Sequence, residues 1–177
     1  MRTFFLSAGI TLLLLSCSSG NGPNADRSLS HSVAPASLSA RMALRVIEDD
    51  GEKKIMAIVI HNPEHIPVQS VRAWVRFDPA SLSLNDLAIQ DGRFALFAPG
   101  ERDIDSAEGF VKIGAAARSP INDPFLTLAT FTVESSESDP VLSFYDWRED
   151  GDGHTAVLTI SEDGIKNILQ TPPLIEL

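Results

Sequence analysis

From residue 37 onward, apolar side chains recur at every second position in short runs, and turn-forming residues separate the runs. A strand sends successive side chains to opposite faces, so this spacing specifies half-buried strands rather than helices, whose apolar positions return every three or four residues. Leu38, Ala40, Met42, Leu44 and Val46 alternate with Ser39, Arg41, Ala43 and Arg45. Asp49-Asp50-Gly51 then supplies a tight turn. The next run is apolar on both faces, with Ile55, Ala57 and Val59 between Met56, Ile58 and Ile60, as expected of a strand inside a sheet. After Asn62-Pro63 and Pro67, a third run sets Val71, Ala73, Val75 and Phe77 on one face and Arg72, Trp74 and Arg76 on the other. Asp78-Pro79 ends it, because proline has no N–H for the ladder.

Leu82 and Leu84 read as a short return, and residues 85–108 as a loop-rich polar segment with one short edge strand at 94–97. Further strands are expected at 110–116, 126–133, 141–145 and 156–160, with turns at 134–140 and 149–153. Residues 161–170 fit either a hairpin or one short helix. The sum is an all-β chain, a sandwich or a barrel, with at most one short helix.

The 177 residues contain a single cysteine, Cys17, so no intramolecular disulfide can form and the apolar core must hold the sandwich alone. The N-terminus reads as a secretory signal over 1–16: Arg2, then an apolar stretch ending in Leu12-Leu13-Leu14-Leu15, then Ser16. Leu14-Leu15-Ser16-Cys17 resembles the bacterial lipobox. That implies a lipidated Cys17 held in the bilayer by its acyl chains, each buried methylene contributing about 0.8 kcal/mol. Residues 17–36 form the lipidated cysteine and a Ser/Asn/Gly/Pro/Ala-rich tether. A flexible segment of that length typically spans on the order of 25 Å. The domain occupies 37–177. A cell-envelope protein anchored by lipid, at the outer membrane or cell surface, is the expectation. Loss of 1–16 removes Arg2 and no acid, deepening the formal charge from −10 to −11. That sign excludes nucleic acid as the partner, since a phosphate backbone demands a basic face.

Three groups of residues are candidates for binding. Arg72, Trp74 and Arg76 share one face of one strand, so an exposed indole between two guanidinium groups would anchor a protein or stack on a sugar. Alternatively, Trp74 packs beneath a loop with the arginines over its edges. Tyr145 and Trp147, two residues apart at a strand end, would form an aromatic platform for sugars or pack at the rim of the core. Asp103, Asp105 and Glu108 form an acidic group, a weak candidate for a structural calcium, because hard cations select carboxylate oxygens. A second acidic loop, with Asp146, Asp150, Asp152, Gly151 and Gly153, fails as an EF-hand: Arg148 stands at a ligand position and Val157 where the bidentate Glu belongs. No catalytic residues, zinc spacing or cofactor motif are found, and His61, His65 and His154 read as surface or turn residues.

Taken together, the strand Ile58-Val59-Ile60 with Asn62, the segment Val71 to Phe77 leading into Asp78-Pro79-Ala80-Ser81-Leu82-Ser83-Leu84, Gly109 to Ala116, and Leu128 to Val133 resemble the cohesin domain, a β-sandwich module related to certain carbohydrate-binding modules. The resemblance covers most of 42–160. It implies a two-sheet antiparallel β-sandwich of jelly-roll type, and a non-catalytic module that recognises a protein partner of the dockerin type through one sheet face. A carbohydrate-binding module for polysaccharide and a structural envelope lipoprotein are the competing expectations.

Overall fold

The computed structural model describes residues 39–135 and 141–176, and every described residue lies in one compact unit, Pro35–Leu177. The signal segment 1–16, Cys17 and the tether 17–36 lie outside the described residues. Among the described residues eleven strands follow one another without a helix: β1 (Arg41–Asp49), β2 (Lys53–His61), β3 (Val68–Phe77), β4 (Leu82–Ile89), β5 (Phe94–Asp105), β6 (Phe110–Ile121), β7 (Phe125–Ser135), β8 (Leu142–Phe144), β9 (Thr155–Ser161), β10 (Gly164–Asn167) and β11 (Leu174–Glu176).

They form two sheets. One has the order β11-β1-β2-β7-β4; the other runs β10-β9-β3-β6-β5, with β8 also paired to β3. All strand pairs are antiparallel except β1 with β11, which is parallel. The dry layer between the sheets follows the alternation of the sequence. Met42 and Leu44 from β1, Met56, Ile58 and Ile60 from β2, and Leu128, Phe131 and Val133 from β7 meet Val71, Ala73, Val75 and Phe77 from β3 and Val111 and Ile113 from β6. Burial of such side chains stabilises by about 1.5–3 kcal/mol each before entropy is set against it.

Specific polar groups fix the ends of the strands. Asn62 is fully buried; its Nδ2 donates to the carbonyls of Ile66 (2.9 Å) and Asp123 (3.2 Å), and its Oδ1 accepts from the Ile66 N–H (3.0 Å). After β3 stops at Phe77, the Asp78 carboxylate accepts from Ala80 N–H, and the Asp78 carbonyl accepts from Ser81 and Leu82. Gly109 crosses this exit at φ +73°, where a Cβ would strike the Phe77 carbonyl. Both the left-handed backbone and the close approach therefore require glycine there.

The chain departs from its sequence-based reading in the polar middle. Residues 85–108 are largely strand: β4 continues to Ile89 through a bulge in which Asp86 takes φ +56°, and β5 is twelve residues long rather than four. Both are edge strands, wet along one side, so their outer positions carry polar residues and the apolar alternation is diluted. Residues 161–170 resolve as a hairpin, β9 to β10, turning through Glu162-Asp163 with Gly164 at φ +110°.

Candidate functional site

With Val71, Ala73, Val75 and Phe77 committed to the core, strict alternation turns Arg72, Trp74 and Arg76 to the outer face of the six-stranded sheet. β3 lies centrally there, so Trp74 has neighbours on both sides. Lys112 of β6 is its register partner, and the Tyr145 N–H donates to the Trp74 carbonyl (2.8 Å). Four rings meet as a result. Trp74 lies 4.4 Å from His154, 5.6 Å from Phe110 and 6.3 Å from Tyr145, while Tyr145 lies 5.0 Å from Phe110 and 5.3 Å from His154. Stacked, tilted and edge-on aromatic pairs each contribute about 0.5–1.5 kcal/mol beyond burial, so the cluster is held together by its own contacts. The Trp74 Nε1 is covered and has no hydrogen-bond partner among the described residues.

Charges frame the rings. Lys112 Nζ sits 5.1 Å from the centre of the Trp74 ring and 5.9 Å from that of Phe110. The ring faces attract the ammonium, and Asp105 (2.7 Å) and Glu108 (2.9 Å) grip it from the other side. Asp105 raises the Lys112 ammonium above its ordinary value and is itself held low by that hydrogen bond. On the other flank, Asp146 binds the His154 imidazole (2.8 Å) and the Arg148 guanidinium (2.8 Å), and the His154 bond chiefly holds its carboxyl low. Arg72 donates to the Gly151 carbonyl, and Asn167 Nδ2 donates to the carbonyls of Arg148 and Glu149, so the acidic loop is closed by its neighbours' donors.

The calcium candidate is not assembled. Lys112 occupies the space between Asp105 and Glu108, Asp103 lies exposed outside that pair, and among the described residues no group of three or more metal-ligating side chains is present. The Tyr145–Trp147 platform is not formed either. Asp146 between them adopts φ +48°. That angle breaks the strand alternation that would have put both rings on one face. Tyr145 joins Trp74 outside, whereas Trp147 packs against the core and donates Nε1 to the Leu169 carbonyl (3.0 Å). Phe110, Lys112 and His154 belong to the surface without having been singled out by the sequence. For Phe110 and Lys112 a signal existed, since they take the outward parity of the run 110–116; for His154 none did.

Six described carboxylates are held below their ordinary range: Asp49 by the Gly51 N–H, Asp91 by Arg93, Asp105 by Lys112, Glu134 by Lys53, Asp146 by His154 and Asp163 by Lys166. Lowered folded-state values mean that the unfolded chain binds protons more readily, so this stability is present above about pH 4–5 and is lost as pH falls through the lowered values. Urea midpoints are therefore expected to decline steadily below about pH 5, with a shallower slope in about 1 M salt, which screens exposed pairs. A midpoint constant to about pH 2.5 would show that these pairs do not act together.

The two-sheet sandwich, with β3 and β6 side by side inside one sheet, has a cohesin-like fold. Three solved structures superpose on it. The seventh ScaB type I cohesin from Pseudobacteroides cellulosolvens superposes with a TM-score of 0.52 at 12% identity, over 78% of this chain and 86% of that one. A chain of a type I cohesin–dockerin complex from Clostridium thermocellum gives 0.51 at 13%, over 77% and 94%. The second type II cohesin module of the ScaA scaffoldin of Acetivibrio cellulolyticus gives 0.51 at 13%, over 77% and 86%. No family model and no curated protein matches the sequence. At these identities the likeness establishes the fold.

Proposed function

We propose that the chain is a non-catalytic protein-recognition module whose partner, of the dockerin type, docks on the outer face of the six-stranded sheet around Trp74. One observation carries the reading: four rings and a tethered Lys112 converge on the solvent side of a central strand, already held in place. Binding hot spots are rigid aromatic or arginine anchors of this kind within a polar rim. The cohesin-like fold supports it, since one similar solved structure is a cohesin–dockerin complex. The polysaccharide reading drew on Trp74 as well as on a Tyr145–Trp147 platform; Trp147 packs against the core instead of beside Tyr145, so only the Trp74 surface remains for it. The test is to pass purified dockerin modules over the immobilised chain, in parallel with retention of the chain on insoluble cellulose and chitin. Saturable dockerin binding is expected; retention on glycan with no dockerin bound would overturn the proposal.

We further propose that Cys17 carries acyl chains that tether the module to the envelope, at the outer membrane or cell surface, on the strength of Leu14-Leu15-Ser16-Cys17. Growth with a tagged palmitate analogue is expected to label the wild-type chain and leave Cys17→Ser unlabelled. Equal labelling of both removes the anchor from the proposal.

A further inference from the structure

Beside the aromatic cluster, the outward row of β6 runs Phe110, Lys112, Gly114, Ala116, and at Gly114 it has no side chain. Arg72 of β3 is Gly114's register partner on one side. On the other side, five residue steps of β5, Phe97 to Arg102, match two steps of β6, Ala115 to Ile113, so the intervening stretch rises from the sheet edge with Gly100 at φ +76°. That detour returns Glu101 over the sheet, where its side chain lies against Gly114 in the space a Cβ would need. A cleft of about 390 Å³ results, walled by Leu96, Phe97, Ala98 and Ala116, with Ser70 and Arg72 along its β3 side.

Glu101 is half-buried in this largely apolar slot, and no hydrogen bond or ion pair reaches it from the described residues. Arg72 does not neutralise it, being turned to the Gly151 carbonyl across β3. A carboxylate drawn partly out of water and left unpaired gains more from an arriving cation than a fully solvated one does. The apolar walls suit the methylene stem that such a cation carries.

We propose that this cleft receives a basic side chain of the protein partner, with its stem along Leu96, Phe97 and Ala116 and its cation on the Glu101 carboxylate. The proposal rests on the protein-recognition reading and adds the partner's chemistry. Arginine is the better occupant, because its planar fork meets both carboxylate oxygens.

The test is an NMR titration of the isotope-labelled chain with N-acetyl-arginine methylamide, using the norleucine and glutamate analogues as controls. Amide shifts at Leu96, Glu101, Gly114 and Ala116 are expected for the arginine probe, and Glu101→Gln should weaken its binding about fivefold or more. The norleucine probe should not respond to that substitution. Gly114→Val, which fills the floor, should remove the arginine shifts. Shifts elsewhere only, or equal affinity in Glu101→Gln, would overturn the assignment. The probe reads the cleft alone, so a protein partner bound equally by wild type and Glu101→Gln sinks the cleft while leaving protein recognition intact.

Discussion

Trp74→Ala is expected to weaken partner binding by about 2 kcal/mol or more, roughly thirtyfold, while the sandwich stays folded. The separation of effects follows from where the indole sits. It is half-buried on the outer face, packed on Phe110, Tyr145 and His154, and no part of the layer between the sheets depends on it. Losing the ring contacts should cost the fold about 1–2 kcal/mol, well short of unfolding a domain of ordinary stability. Trp74→Phe sharpens the test. It keeps an aromatic face and removes the N–H that has no partner among the described residues, so the folding cost should be near zero. Calorimetric titration with a bound dockerin module, run beside urea unfolding, checks both halves. Unchanged affinity in Trp74→Ala would move the binding surface elsewhere, and a collapsed transition would return Trp74 to the core.

Phe131→Ala should cost about 3–5 kcal/mol of unfolding free energy, the largest single effect foreseen. Phe131 is 1% exposed, stands on β7 opposite Met56, and belongs to the continuous core. Truncation removes its transfer free energy and leaves a cavity that a two-layer sandwich closes poorly, because both walls are hydrogen-bonded sheets. With one cysteine in the chain, no disulfide offsets the loss. Since small domains have about 5–15 kcal/mol in all, the variant is expected to be partly unfolded under mild denaturant. Urea unfolding followed by tryptophan fluorescence measures the shift. A loss below about 1 kcal/mol would mean that the interior is far looser than the burial indicates.

Most of the sandwich was legible from spacing. β1, β2, β3, β6, β7 and β9 fall where alternate apolar residues predicted them, because each turns one face into the dry layer. The edges were not legible. β4 and β5 carry polar outward positions, a bulge at Asp86 and a detour at 98–101, so their period is interrupted where pairing still continues. β11 was invisible for another reason: three residues after Pro172-Pro173 hold no pattern of their own and become a strand only by lying parallel to β1.

The candidate surface divides in the same way. Alternation alone fixed that Trp74 faces away from Val71, Ala73, Val75 and Phe77, since one residue of slip would exchange the whole set between oil and water. What surrounds Trp74 came from the tertiary structure: Lys112 and Phe110 by register from β6, Tyr145 and His154 from segments flanking β8 and β9. A single backbone angle at Asp146 set Trp147 against the core instead of beside Tyr145. A lysine took the space among the acids at 103–108 that a cation would need. Sequence periodicity dictates which way a side chain points, because burial is decided strand by strand; which side chains meet is decided by register and turn geometry between strands far apart in the chain, and only the folded sheets bring those together.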